Sequence, residues 1–467
     1  MNDIVNQETI KVPLAKKISW GFGGLADNYI MNSLTVLSMP IYNIAFGMDP
    51  VKLGFALFIP RFLDAITDPV MGNISDNTRS RWGRRKPYIV AGSILSALLL
   101  PFLWTPPVKT ETGMFWYFMI LAVIYLTFYT IYVVPYTALG YELTNDYDER
   151  TKTLAWRMYI GLIGSLSVPW LYKLCLLSVF NGDAGLGAFW VSVIVAAVII
   201  LTGLLPVLFC KEEKILKSEK INFFKSIGYT FKNKPFTILI ITYIIIICGL
   251  FSSGVLGLYI NIYYICNGDK SFAATIGGLA GTLTALISYA SLPLATFISL
   301  KSGKREAMII GLVLAFFGYL SMWFTMTPNM PYLQLTSCVI IGLGLQGCWL
   351  MVSSMVADIC DEDELKTGLR REGIYSAVIG FALKLALSLT SLLGGVLLKI
   401  SGYNAIEAEK TGSVAPEIIL KLKILFIGLQ CFALAAASVM FLYYPISRKR
   451  ANQTRIVLEQ RHKYKTS

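Results

Sequence analysis

Histidine is almost missing from this 467-residue chain: His462 is the only one, and it lies in a basic run close to the end. That removes a histidine proton relay from consideration. Charge is scarce too, at 15% Asp, Glu, Lys and Arg against 55% hydrophobic residues and a mean hydropathy of +0.61. Such a balance excludes an ordinary soluble globular protein of this length. The eight cysteines are scattered, mostly within apolar stretches and without CxxC or metal spacing, so they read as small buried hydrophobes. No GxxxxGK[ST] loop is present to cradle nucleotide phosphates, nor a long polar region on which one could be built, which leaves ATP out. The opening residues include Asp3 and Glu8, and the first apolar run is too long for a cleaved leader, so it reads as a retained helix.

What the chain has in abundance is long apolar runs. Twelve are of spanning length, from Ile18 to Phe46 at the start, through Leu154 to Phe180 as the fifth and Tyr332 to Met355 as the tenth, to Leu425 to Tyr444 at the end. The fold class expected is an all-α polytopic membrane protein. With both termini on the cytoplasmic side, roughly three-quarters of the 41 Lys and Arg fall on cytoplasmic segments. The formal charge of +13 is therefore a topological signal plus attraction to anionic lipid, clearest from Arg448 to Lys465. It gives no reason to invoke nucleic acid.

One polar, Lys-rich interruption, Lys211 to Lys234, divides the chain. The expected organisation is a six-helix bundle over residues 1–210, a cytoplasmic linker over 211–235, a second six-helix bundle over 236–446 and a basic cytoplasmic tail over 447–467. Two bundles around a midplane site is the major facilitator arrangement. The loop Ser80-Arg81-Trp82-Gly83-Arg84-Arg85 after the second segment is echoed by Lys301-Ser302-Gly303-Lys304-Arg305 after the eighth.

The second segment, Val51 to Ile74, carries Arg61, Asp64 and Asp68 inside an apolar run. Ionisable groups at membrane depth are expensive and mark ion or substrate pathways by default. Asp64 and Asp68 are four residues apart and share a helix face, with Arg61 a turn earlier on the same side. Together they form a small cation-binding patch with its own counter-charge. Without an ATP site, transport must run on a gradient. One positive charge moved across 100 mV supplies roughly 2.3 kcal/mol, so Na⁺ or H⁺ is a usable drive.

The run Arg61-Phe-Leu-Asp64-Ala-Ile-Thr-Asp68-Pro69-Val-Met-Gly72, then Asp76 and Ser80-Arg81-Trp82-Gly83-Arg84-Arg85-Lys86-Pro87, resembles the second helix and following loop of the glycoside-pentoside-hexuronide:cation symporters. Asp358-Ile-Cys-Asp361-Glu362-Asp363-Glu364-Leu365-Lys366-Thr367-Gly368, followed by Arg370-Arg371-Glu372-Gly373, resembles the loop joining helices ten and eleven of that family.

The resemblance implies roles. Asp64 and Asp68 match the cation-binding carboxylates, and Thr130 matches a hydroxyl that helps coordinate the ion. Thr67 departs from the melibiose-type member, which has an amide there, so Na⁺, Li⁺ and H⁺ stay open. Arg157, Trp349 and Lys384 match substrate contacts. Two acidic sugar ligands of the melibiose-type member are replaced by Asn28 and Val133, with Asp27 one residue off the matched position. Trp349 is equally compatible with helix packing, and Arg157 with a cytoplasmic-end anchor. Asp76, Arg84, Arg85, Asp358, Asp361, Arg370, Arg371 and Glu372 are expected to form salt bridges at the cytoplasmic face that break and remake during transport.

These readings converge on a multi-pass protein of the plasma (bacterial inner) membrane that is not an enzyme and needs no cofactor. It would import a glycoside, pentoside or uronide with Na⁺ or H⁺ by alternating access, the sugar lying between the halves. Charge balance, with Arg157 and Lys384 kept and acidic ligands lost, favours an acidic glycoside. A transporter of amphipathic solutes and a transport-dead sugar sensor are the alternatives. The particular sugar, the stoichiometry and the oligomeric state lie outside what these residues decide.

Overall fold

In a computed structural model the chain is described over residues 12–144, 146–210, 212, 230, 233–369 and 371–466. Arg370 and nearly all of the 211–235 linker therefore lie outside the described residues. Everything described is helix, turn or irregular segment, without strand.

Among the described residues twelve long helices follow in order: α1 Leu14–Ser38, α2 Pro50–Asn77, α3 Lys86–Leu99, α4 Glu111–Tyr141, α5 Tyr147–Ser167, α6 Ala184–Phe209, α7 Lys234–Ile260, α8 Lys270–Ser302, α9 Lys304–Thr325, α10 Gln334–Thr367, α11 Glu372–Ile400 and α12 Pro416–Leu442. A thirteenth, α13, spans Arg448–Thr466. Polar residues start many of them. Asp49 accepts from the N–H groups of Val51 and Lys52 at the head of α2, Asp183 from those of Gly185 and Leu186 before α6, and Asp269 from that of Phe272 before α8. Proline ends or interrupts others: Pro169 lacks an N–H, and the α5 path gives way to a 3₁₀ turn, Val168–Trp170, and a short helix, Leu171–Cys175.

Among the described residues nine helices are long and apolar enough to cross a membrane, and α1, α2 and α5 are not among them. Those three carry Asp27, the Arg61–Asp64–Asp68 set and Arg157. In α2 the three ionisable residues lie within one span, where each charge at bilayer depth must find a partner or a cavity.

The chain divides into two compact units, Met1–Lys217 and Ser218–Ser467. In the first, Trp20, Tyr42, Trp104, Phe118, Tyr125, Tyr132 and Tyr136 are fully buried. In the second, the core joins Phe236 and Ile247 of α7, Met308 and Leu312 of α9, Ile359 of α10, Tyr375 of α11 and Phe441 of α12. The units echo each other in detail. Lys86, first residue of α3, donates to the carbonyl of Val207 near the end of α6 at 2.8 Å. Arg305, second residue of α9, donates to that of Leu442 at the end of α12 at 2.9 Å.

One sequence expectation is revised. The acidic stretch Asp358 to Thr367 is not a loop; it forms the last turns of α10, and only 368–371 connect α10 to α11. Its Glu362, Asp363 and Glu364 are buried, because basic residues from neighbouring elements cover them. The basic tail is helical and docked: Arg448 of α13 donates to the Lys301 carbonyl, Arg450 pairs with Glu362 at 2.5 Å and Arg461 donates to the Leu365 carbonyl.

Candidate cation and substrate site

The cation-site residues of unit 1 come together. Asp64, 2% exposed, receives a 2.5 Å hydrogen bond from the hydroxyl of Thr130 on α4. Thr67 donates to the Asp64 carbonyl at 3.2 Å and lies 3.4 Å, oxygen to oxygen, from Thr130. Asp68 follows one helical turn after Asp64, half-buried, with its Oδ1 shielded from solvent. Pro69 has no N–H for the carbonyl of Ala65, so that backbone oxygen lacks its usual helical donor. Two carboxylates, two hydroxyls and a carbonyl are all-oxygen donors suited to a small hard cation or a proton. No group of three or more His, Cys, Asp and Glu gathers as a metal cluster among the described residues.

Arg61 is buried on the same helix, but its hydrogen bonds go to α1: to the Thr35 hydroxyl at 2.8 Å and the Met31 sulfur at 2.6 Å. A long side chain on a helix reaches whatever acceptor the neighbouring helix offers, which shared-face spacing alone does not specify.

On the other flank of Tyr129 stands Asp27. Its Oδ2 pairs with Arg157 of α5 at 2.8 Å and its Oδ1 accepts from the Tyr129 hydroxyl at 2.9 Å. Asp27 thus faces α4 and α5, while Asn28, its neighbour, turns along α5, with a long 3.5 Å bond to Ser165 and one from Asn32 at 3.2 Å. Arg157 lies across Trp20 and Tyr136, its guanidinium carbon 5.6 and 5.3 Å from the ring centroids. Gly24 makes this possible, since a Cβ there would sit 2.8 Å from the Arg157 Cγ. Arg157 is therefore held inside unit 1 by an ion pair and two aromatic faces.

Sequence reasoning missed the element that connects these groups. Tyr125, Tyr129, Tyr132 and Tyr136 recur at spacings of four, three and four along α4, and each hydroxyl bonds to α1: to Ile30 O, Asp27 Oδ1, Gly23 O and Trp20 O. The helical spacing was a readable signal of one polar-tipped aromatic face. Tyr129 also stands in the electrostatic field of Asp64, so the cation patch and the Asp27–Arg157 pair are neighbours through one ring.

In unit 2, Trp349 is half-buried on α10 and packs edge-to-face against Tyr243, 5.5 Å between centroids, and Phe251. Lys384 is half-buried on α11 with its Nζ shielded. Val133 is half-buried on α4.

The charged residues at the basic ends form networks with partners that spacing did not reveal. Arg85 bonds to Asp76 at 2.8 Å, and both Arg85, at 2.7 Å, and Arg84 bind Glu142 at the end of α4. Burial raises the Glu142 carboxyl above its usual range, opposed by the two guanidinium charges. Glu212 crosses back from beyond α6 to accept from the backbone N–H groups of Arg84, Arg85 and Lys86 at 2.7, 3.0 and 3.0 Å. Asp358 pairs with Lys304 at 2.6 Å, and Arg371 lies 3.7 Å from Asp363. Asp361 is half-buried on α10, and Glu372 is exposed at the start of α11.

Comparison with known proteins gives three findings. Residues 19–448 match the family model for MFS/sugar transport proteins. The chain is 26% identical to an isoprimeverose transporter of Lactiplantibacillus pentosus, over 92% of this chain and 88% of that one, and 22% identical to a glucuronide carrier protein homolog of Escherichia coli, over 96% and 95%. A crystal structure of the nucleoside transporter NupG shares the fold with a TM-score of 0.60 at 17% identity, covering 91% of this chain and 99% of that one.

Proposed function

The chain belongs to the MFS/sugar transport protein family, as one of its glycoside-pentoside-hexuronide:cation symporters, and from that premise we propose that it carries an uncharged glycoside inward together with one Na⁺ or H⁺. It is a multi-pass membrane transporter rather than an enzyme. The observation that carries the coupling is the buried Asp64 carboxylate, held by the Thr130 hydroxyl one helical turn from Asp68.

Charge supports a single coupling ion. In unit 1, Arg61 and Arg157 stand against Asp27, Asp64 and Asp68, which leaves one negative charge for a bound cation or proton to neutralise. Thr67 and Thr130 supply hydroxyl oxygens and Pro69 frees a carbonyl, so Na⁺ can shed water for protein oxygens. With the ion absent, the two carboxylates one turn apart repel each other. The ion thereby favours the arrangement in which they converge, and sugar binding to that arrangement is linked reciprocally to ion binding.

The acidic-substrate expectation rested on counting Arg157 and Lys384 as available cations, and of these Arg157 is already paired. Asp27 neutralises it, with the buried Tyr129 hydroxyl on its other oxygen, so unit 1 offers polar groups without net charge in the half-buried Asn28 amide and the outer edges of the ion pair. Such groups suit sugar hydroxyls, with the Trp20 and Tyr136 rings fixing the guanidinium. The relatives' names cover both isoprimeverose and a glucuronide and do not choose between the charges. The basic asymmetry supports an orientation with both termini on the cytoplasmic side.

Uptake into proteoliposomes tests the reading. An inward Na⁺ or H⁺ gradient should drive accumulation of a neutral aryl glycoside, and its uronic-acid counterpart should compete poorly. Equal uptake with and without both gradients would overturn the coupling. Preference for the uronide, lost in Lys384→Gln, would overturn the neutral substrate while leaving the coupling intact.

A further inference from the structure

Unit 2 contains a second chemically distinct place, remote from Trp349 and Lys384 along the chain's helices. It lies at the end of the unit where α7 and α9 finish and α12 begins, opposite the end that carries α13. A cavity of about 430 Å³ there is lined by Tyr263 and Tyr264, Asn267, Trp323, Lys423 and an apolar wall that includes Leu420. Its size is in the range of small-ligand sites.

Lys423 is the one charged residue of that lining, and it is only 9% exposed. Its Nζ donates to the carbonyls of Trp323 and Met326 at 3.3 and 3.2 Å, and stands 5.0 Å from the Tyr264 ring centroid and 5.3 Å from that of Trp323. Capping the end of α9 thus uses two of the three ammonium N–H groups. The Trp323 indole N–H, the Tyr264 hydroxyl and the Asn267 amide make no hydrogen bond among the described residues, while the Tyr263 hydroxyl is engaged by Tyr403 at 3.1 Å. The lining therefore brings together an ammonium and three further donors without a carboxylate. A negative, acceptor-rich group is the complement of the buried ammonium, while Trp323 and Asn267 are exposed and the Tyr264 hydroxyl and Asn267 amide can donate or accept. The wall of Val414, Pro416, Ile419 and Leu420 asks that the negative group be carried on an apolar body.

We propose that this cavity binds the oxyanion of a net-anionic phosphoester, with Lys423 as the charge partner and Trp323, Tyr264 and Asn267 as neutral donors. The same chemistry is offered by an anionic phospholipid headgroup and by a soluble phosphoester. No residue of this lining is shared with the candidate ion and sugar site, Trp349 and Lys384 of the same unit included.

The test follows tryptophan fluorescence of the purified full-length chain in neutral detergent, titrated with short-chain phosphatidylglycerol, short-chain phosphatidylcholine and glycerol 1-phosphate. Phosphatidylglycerol should give a saturable change that is absent in Trp323→Phe. Lys423→Gln should weaken it about tenfold, as loss of a charged hydrogen bond requires, and Lys423→Arg should retain it. Asn267→Gly serves where Lys423→Gln fails to fold: it keeps the left-handed backbone at φ 50° and removes one donor, so it should weaken binding with the fold intact. A response to phosphatidylglycerol alone assigns the site to lipid, and an equal response to glycerol 1-phosphate assigns it to a soluble ligand. No saturable change, a response that survives Trp323→Phe, one unmoved by both Lys423→Gln and Asn267→Gly, or equal binding of phosphatidylcholine would each overturn the proposal.

Discussion

Asp27 of α1 and Arg157 of α5 form an ion pair at 2.8 Å, and Tyr129 of α4 donates to the second oxygen of the same carboxylate. Three helices of unit 1 are thus tied at one residue, and Tyr129 also stands in the field of Asp64 on α2. Both side chains are mostly buried, so removing either strands a charge where water cannot fully solvate it.

Arg157→Gln and Asp27→Asn should each reduce sugar affinity roughly tenfold, while the double variant should lose less than the two combined. A double-variant cycle on sugar binding should return a coupling of about 1 to 2 kcal/mol. Strict additivity would mean that the pair contributes nothing jointly to the site.

Thr130→Val removes the hydrogen bond to Asp64 and a ligand oxygen but keeps the carboxylate. It should raise the half-saturating cation concentration about tenfold and leave the maximal uptake rate close to the parent. Asp64→Asn should instead abolish gradient-driven accumulation, because the charge itself is gone. Ion-concentration dependence of sugar uptake distinguishes the two, and identical effects would contradict the division of roles.

Gly83 has φ 106°, and a Cβ there would lie 2.7 Å from the Glu212 carboxyl carbon. Gly83→Ala should displace that carboxylate from the three backbone N–H groups ahead of α3, destabilising unit 1 by about 1 to 3 kcal/mol. Glu212→Ala should do the same, and the double variant should be little worse than either, since both remove one arrangement. Thermal unfolding in detergent measures this; two effects that simply add would show that they act separately.

Glu149 precedes the apolar part of α5, where hydrogen bonds from Lys17 and Lys152 hold its carboxyl well below the usual range, at about 2. A depressed folded-state value means the native form binds fewer protons than the unfolded form. The contribution is present above the ordinary carboxyl range and lost as pH falls through it toward about 2. The melting temperature of the parent should therefore exceed that of Glu149→Gln at pH 7, with the gap narrowing below about pH 4.5. A gap that does not change with pH would exclude titration of Glu149 as its origin.

Composition and periodicity determined much by themselves. Apolar runs interrupted by capping residues such as Asp49 and Asp183 dictate a helical membrane protein, because in lipid each span must satisfy its own backbone groups. The Asp64–Asp68 spacing also fixed a common helix face before any packing was known, since four residues make one turn. Thr130 came from resemblance rather than spacing, and the fold then put its hydroxyl on Asp64. Only tertiary structure decided the pairings between helices: Arg61 reaching Thr35, Glu142 gathering Arg84 and Arg85, Glu212 returning to cap α3, and Asp27 rather than Asn28 meeting Arg157. Periodicity reports which side a residue occupies, whereas the partner across the gap depends on helix rotation and on how far a flexible side chain extends. The acidic stretch after Met355 shows the same limit. Its composition reads as loop, yet basic residues from α9, α13 and the α10–α11 connection cover its carboxylates and allow α10 to continue to Thr367.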